Sequence, residues 1–223
     1  MLSNSQPRYA IATVTAVGKD LALTLREKLG KEIPIYTTPR LADDRVIAIE
    51  GRVIEALGQL FQEVDVLICI MAIGAVVRAI APVLKDKASD PAVVVMDEKA
   101  TNVISLLSGH LGGANQVTRD IAELLGSNPV ITTATDVQNV TALDNLAQSV
   151  NGWRPELREF IKPFNSYLGS GRTVYFYQEK DWVTDLRGLT LVDEEKLAAV
   201  LKGTDPLILL TAEKKDIQRE NLA

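Results

Sequence analysis

The chain predicts an α/β fold: a mostly parallel, mixed sheet flanked by helices, followed by a second, smaller α/β domain. Three observations carry this. Strand-like and helix-like stretches alternate from Tyr9 onward, the rhythm of strands joined by helical crossovers. The run DVLICIMA beginning at Asp65 is apolar without interruption after its first residue, which suits a strand buried on both faces. PAVVVMDE and NVISLLS are separated only by the polar KAT, which reads as a hairpin and makes the sheet mixed.

The elements follow in order. YAIATVTAV opens the sheet, and GKDLALTLREKLG is a helix closed by Gly30, because glycine takes the left-handed C-terminal position without a Cβ penalty. IPIYTTP is the next strand, RVIAIEG a short one, and RVIEALGQLFQEV an amphipathic helix leading into DVLICIMA. AIGAVVRAIAPVL reads as a loop and helix that Pro82 kinks or ends, since proline lacks the amide a helix interior needs. Beyond the hairpin, ANQVTRDIAELLG sets Ala114, Val117, Ile121, Leu124 and Leu125 at helical spacing and stops at Gly126. PVITTATD is a further strand and VTALDNLAQSVNG a helix, after which NGWRP carries the Gly and Pro punctuation of a boundary. The first domain is thus expected at 1–150. The second, 151–223, holds ELREFIKPFNSYLGSG, TVYFYQE, LTLVD, DEEKLAAVLKG and PLILLT. The chain ends at IQRENLA, helical in character and uncapped, as a truncation leaves it.

Composition removes several function classes. Hydrophobic residues make up 47% of the 223, ample for a buried core. No apolar run is long enough to span a bilayer, and the N-terminus lacks the basic-then-apolar layout of a signal peptide, which places the protein in the cytoplasm with no membrane partner. A net charge of −5 argues against a nucleic-acid partner, though not against small anions, which are held by local groups. The lone Cys69 reads as a small core residue. One Cys and one His cannot supply a zinc site, so no metal and no resident cofactor are expected.

Ligands of open α/β sheets bind beyond the carboxyl ends of strands. Three loops fit that address: the one after DVLICIM containing Gly74, the stretch GHLGG, and TTATD. Glycine lets backbone approach a ligand closely, and free N–H groups of the helix beginning near Gly113 suit a carboxylate or phosphate. The plain alternative is that Gly109, Gly112 and Gly113 only permit a tight turn. His110, the only histidine, lies in that loop, where an imidazole can exchange a proton at neutral pH; its alternative is a capping or solvent-facing role. Arg78 interrupts an apolar helix and either pairs with a protein carboxylate or reaches an anionic ligand. Lys85 and Lys87 read as solvated, Asp90 and Pro91 as a turn, and Asp97 and Glu98 as the hairpin end without a role. Thr132, Thr133 and Thr135 add hydroxyls, and Asp136 is either a helix N-cap or a base. Glycine-rich nucleotide motifs and the serine-hydrolase elbow are absent from the sequence.

The run GAVVRAIAPVLKDKASDPAVVVMDEKATNVISLLSGHLGGANQVTRDIAELLGSNPVITTATD resembles the N-terminal region of the cobalamin-biosynthesis protein G family, the cobalt-precorrin-5A hydrolases of the anaerobic vitamin B12 pathway. VRAIAP, KxSDPAVVVMDE, ISLLSGHLGGAN and VITTATD occur in order at close spacing. The resemblance is strong over Ala72 to Asp136 and loose after Trp153. It implies a hydrolase that opens the ring-A δ-lactone of a cobalt corrinoid and releases acetaldehyde, giving cobalt-precorrin-5B, with cobalt carried by the substrate. On loop placement and the motif match together, His110 and Asp136 are the catalytic candidates. Gly74, Arg78, Ser108, Gly109, Gly112, Gly113, Asn115, Thr132, Thr133 and Thr135 are the candidates to bind the anionic cobalt-corrinoid. The resemblance also implies a further C-terminal domain, of which this chain has no trace, and association with a tetrapyrrole methyltransferase. Two other readings stay open: a non-catalytic corrinoid-binding or regulatory module acting with a separate partner domain, and a generic phosphate-binding α/β domain.

Overall fold

A computed structural model describes residues 7–86, 89–152 and 155–212. Lys87, Trp153 and the terminal IQRENLA lie outside the described residues. The chain forms two compact units, Met1–Ile131 and Thr132–Ala223.

The first unit opens with β1 (Tyr9–Thr13) and α1 (Ala16–Leu29), whose N-cap Thr15 accepts from the Gly18 amide and whose C-cap Gly30 is left-handed, the two ends satisfied as helix ends must be. β2 (Ile35–Thr37), the short β3 (Ile47–Ala48) and α2 (Val53–Glu63) follow. β4 (Val66–Ile70) leads to α3 (Ile73–Ile80), which a 3-10 turn containing Pro82 ends. β5 (Ala92–Met96) and β6 (Asn102–Leu107) form the expected hairpin. Its turn is organised by Asp97, whose carboxylate accepts from the amides of Lys99, Thr101 and Asn102, a role the sequence does not announce. α4 (Ala114–Leu125) and β7 (Asn128–Val130) complete the unit.

The seven strands run in the order β3-β2-β1-β4-β5-β6-β7, parallel at every step except the antiparallel β5–β6 pair. Alternate residues feed two cores, as the two-residue period of a strand dictates. Ile11, Ile68, Ile70, Val94 and Met96 pack with Ala22 and Leu25 of α1 and Ala114 and Ile121 of α4. Leu67, Cys69, Val93 and Val95 pack with Leu57 and Phe61 of α2 and Val76 and Ile80 of α3. With helices on both faces, β4 and β5 are buried along their whole lengths, which is why their sequences carry no alternation. The fold is the mixed, mostly parallel α/β sheet expected.

The second unit begins with α5 (Ala134–Val137), α6 (Leu143–Ser149) and α7 (Arg158–Gly169). β8 (Val174–Gln178), β9 (Leu189–Leu191), α8 (Glu194–Leu201) and β10 (Leu207–Leu210) follow, in a parallel sheet ordered β10-β8-β9. Two sequence expectations are corrected here. The division falls after Ile131 rather than at 150, because Leu143 and Leu146 of α6 bury themselves with Ile161, Phe164 and Phe176 of the second unit. The strand expected over PVITTATD is only three residues long. Ala134 onward turns helical instead, with the Val137 amide bonded to Thr133 O.

Candidate functional site

The stretch 108–113 links β6 to α4 and is held by its own backbone. The Gly113 amide donates to His110 O at 2.9 Å, that of Ala114 to Ser108 O at 3.1 Å and that of Asn115 to Gly109 O at 3.0 Å. Gly113 is left-handed at φ 84° and caps α4. A Cβ at Gly112 would meet Ser108 Cβ at 2.5 Å and the Ala92 amide nitrogen at 3.2 Å, so glycine here is a steric requirement as well as a turn signal.

These bonds correct the expectation of an open amide cradle at the start of α4. Three of the amides that would greet an anion are spent on loop carbonyls. Among the described residues, no acceptor is found for the amides of Gly109 and Gly112. Asn115, expected to touch substrate, is 3% exposed, and its Oδ1 accepts from Ser105 Oγ at 2.6 Å. Ser108 stands out. It is a non-glycine residue at φ 57°, a conformation that costs about 1 kcal/mol or more, and its buried hydroxyl has no partner among the described residues, which costs about 1–3 kcal/mol. Both features fall on one residue two positions from the only histidine. His110 itself is half-buried.

The loops expected to form one rim do not. Because β6 runs against β5, with Val93 opposite Leu107 and Met96 opposite Val103, the outlet of β6 lies at the amino-terminal edge of β4 and β5. Gly74 follows β4 at the other edge, a strand of five residues or about 16 Å away. That far edge is tied together by Thr15 Oγ1, which donates to Glu98 Oε1. Arg78 points its guanidinium back at Gly74 O, 2.9 Å away on an exposed face, and so satisfies its own helix. Gly74 and Arg78 therefore do not join the His110 loop.

A segment the sequence reads as plain turn does lie on the His110 edge. Residues 89–91 feed directly into β5, and there the Lys85 amide donates to both oxygens of Asp90 at 3.1 Å. The signal that could have found it was the hairpin itself, since a reversed strand opens where its partner begins. The clefts of about 540 and 500 Å³ in this unit lie around Gly30, Lys31 and Glu32 and are not lined by 108–113.

Thr132, Thr133, Thr135 and Asp136 belong to the second unit. Asp136 is not an N-cap: Thr133 holds that position, and its hydroxyl donates to Asp136 Oδ2 at 2.5 Å. Thr135 is 4% exposed and its carbonyl accepts from the Val140 amide, so it serves the turn, whereas Thr132 is exposed. Nearby, Arg187 forks onto Asp185 at 2.8 Å through Nε and Nη2 and donates from Nη1 to Asn139 Oδ1 at 3.0 Å. The guanidinium holds the Asp185 carboxyl below the usual carboxylate range. Among the described residues no cluster of His, Cys, Asp and Glu is placed to hold a metal ion, and no helix is long and apolar enough to cross a membrane.

Residues 55–136, from α2 to α5 and including GHLGGAN, match the family model for the cobalamin synthesis G N-terminal region. The match is to that family's N-terminal region over these residues. The cobalamin synthesis G likeness extends to characterised relatives. The chain is 41% identical over 179 residues to the cobalt-precorrin-5A hydrolase of Salmonella typhimurium, covering 77% of this chain and 51% of that one. It is 38% identical over 182 residues to the cobalt-precorrin-5A hydrolase of Priestia megaterium, covering 78% and 48%. The chain thus spans about half the length of the curated relatives it matches. A crystal structure of a cobalamin biosynthesis protein G homologue from Sulfolobus solfataricus superposes with a TM-score of 0.57 at 22% identity. It covers 96% of this chain and 58% of the other, a likeness of fold.

Proposed function

We propose that this chain acts in anaerobic cobalamin biosynthesis as the part of a cobalt-precorrin-5A hydrolase that opens the ring-A δ-lactone. The observation that carries the reading is the only histidine, set in a bonded loop inside the family-matched stretch beside the strained, unpaired Ser108. His110 takes a proton from water as the oxygen adds to the lactone carbonyl carbon. The Gly109 and Gly112 amides are the donors available to the resulting oxyanion. The acyl C–O bond then breaks, leaving a carboxylate and an alkoxide on the former bridging carbon. That alkoxide collapses to acetaldehyde as the C–C bond to the macrocycle breaks, and the macrocycle keeps the electron pair and takes up a proton. Water is the only co-reactant; cobalt arrives with the substrate and no cofactor is drawn from the protein.

The half-length match favours one second reading: a corrinoid-binding module whose turnover needs the family's C-terminal domain or a partner such as a tetrapyrrole methyltransferase. One experiment separates them. The full chain is titrated with the cobalt-corrinoid lactone, following the corrinoid spectrum and, in parallel, acetaldehyde. Release by the wild type and its loss in His110→Ala, with unchanged far-UV circular dichroism, supports the hydrolase. Binding without acetaldehyde supports the module, and full activity of His110→Ala removes the base. Asp136→Asn in the same assay tests the second acid candidate.

A further inference from the structure

We infer that Asn115, seated by Ser105, is a positioning residue that fixes the His110 loop without touching substrate. The inference rests on the reading of His110 as the base and adds the device that aims it.

A line of contacts runs from the sheet to the residue before the histidine. Ser105 lies on β6 and donates its hydroxyl to Asn115 Oδ1 at 2.6 Å. Asn115 lies in the first turn of α4 and is 3% exposed. Its amide N–H donates to Gly109 O at 3.0 Å. Its carboxamide also occupies the space a side chain at 109 would need: a Cβ there would lie 2.7 Å from Oδ1, 3.0 Å from Nδ2 and 3.1 Å from Cγ of Asn115. Asn115 therefore holds Gly109 through its backbone, and its side chain fills the space beside it. A buried carboxamide bonded to a strand hydroxyl is a rigid support, because any other rotamer would give up the bond to Ser105. The strand fixes Ser105, Ser105 fixes the carboxamide, and the carboxamide leaves Gly109 no freedom to shift. His110 follows directly, so its imidazole inherits that position. A general base misplaced by about 1 Å loses about 100-fold in rate, while substrate contacts elsewhere keep binding intact.

The only histidine gives an unobstructed reporter. The His110 Cε1–H proton is followed by NMR across pH in the full chain, alongside acetaldehyde kinetics, for wild type, Ser105→Ala, Ser105→Thr, Asn115→Ala, Gly109→Ala and the Asn115→Ala/Gly109→Ala double variant. Ser105→Ala and Asn115→Ala are expected to move the resonance and its titration and to lower kcat by about 10- and 100-fold with KM within about twofold. Ser105→Thr keeps the hydroxyl and restores both readouts. Gly109→Ala is expected to harm the wild type more than it harms Asn115→Ala, because the atoms it strikes are those already removed. If the resonance and its titration are unmoved in folded Ser105→Ala, the latch does not exist. Should Asn115→Ala fail to fold, Ser105→Ala with its threonine rescue decides alone. If the wild type releases no acetaldehyde, the hydrolase reading fails, and the resonance still reports whether the latch holds the loop.

Discussion

Gly112 and Gly113 are neighbours in sequence with opposite reasons to be glycine, and alanine at each should cost different amounts. At Gly112 an added Cβ meets Ser108 Cβ at 2.5 Å, Ser108 O at 2.9 Å and the Ala92 nitrogen at 3.2 Å. Two of these are backbone atoms. The Ser108 carbonyl is tied to the Ala114 amide and Ser108 is already left-handed, so the loop cannot yield locally and must lift from β5. Overpacking of this kind costs about 3 kcal/mol, the upper part of its usual range. At Gly113 nothing lies within 4 Å of an added Cβ and only φ 84° resists, a cost of about 1 kcal/mol.

Cys69 supplies the assay. It is fully buried in β4 at the centre of the first unit, and burial pushes its thiol up to about 12, so a disulfide reagent reaches it only when the unit opens. With closing faster than labelling, the rate follows the opening equilibrium. Labelling should accelerate about 150-fold in Gly112→Ala and about 5-fold in Gly113→Ala, as every 1.4 kcal/mol is tenfold. Equal acceleration, or a larger effect at Gly113, would falsify the steric account of the loop.

Two further outcomes concern the surface and the second core. Arg45, then Lys19, hold the Asp43 carboxyl below the usual carboxylate range. A depressed pKa stabilises the fold above the unfolded value, near 4, and that stability is lost as pH falls through the folded value. The urea midpoint should therefore fall below about pH 4, and less steeply in Asp43→Asn. In the second unit, Phe164 is 1% exposed and packs edge-on to Phe160 and Tyr167 at 6.3 and 5.9 Å. Phe164→Ala should cost about 3–5 kcal/mol, read by tryptophan emission because both tryptophans follow residue 131; a loss under 1 kcal/mol would mean the site refills.

Local patterns account for what the sequence made legible. An uninterrupted apolar run identifies β4 and β5 because both faces of the sheet are covered, and glycines mark the ends of α1 and α4 because each is left-handed there. The short polar break identifies the hairpin. The boundary after Ile131 was not legible, because α6 is amphipathic whichever core it serves, and only its partners Phe164 and Phe176 decide. Gly152 and Pro155 fall inside the second unit, and in sequence they punctuate in the same way as at a boundary.

The site divides along the same line. GHLGG could be singled out because its constraints lie within a few residues. Its grouping with Gly74 and Arg78 required knowing the direction of every strand between them, and directions accumulate. One antiparallel step at β5–β6 sends the outlet of β6 to the edge where β5 begins, and β7, parallel to β6, heads the same way but ends at Val130, level with Ile104. Ligands of open α/β sheets gather beyond carboxyl ends, and for β6 and β7 those ends face the opposite way from those of β1, β4 and β5. The hairpin thus does more than make the sheet mixed: it moves the His110 loop away from the helix starts of α1 and α3 and to the edge where residues 89–91 enter β5. If His110 is the base, as proposed, Gly74 and Arg78 lie on the side of the sheet away from it. On the proposed reading, the donors that the loop itself offers are the Gly109 and Gly112 amides.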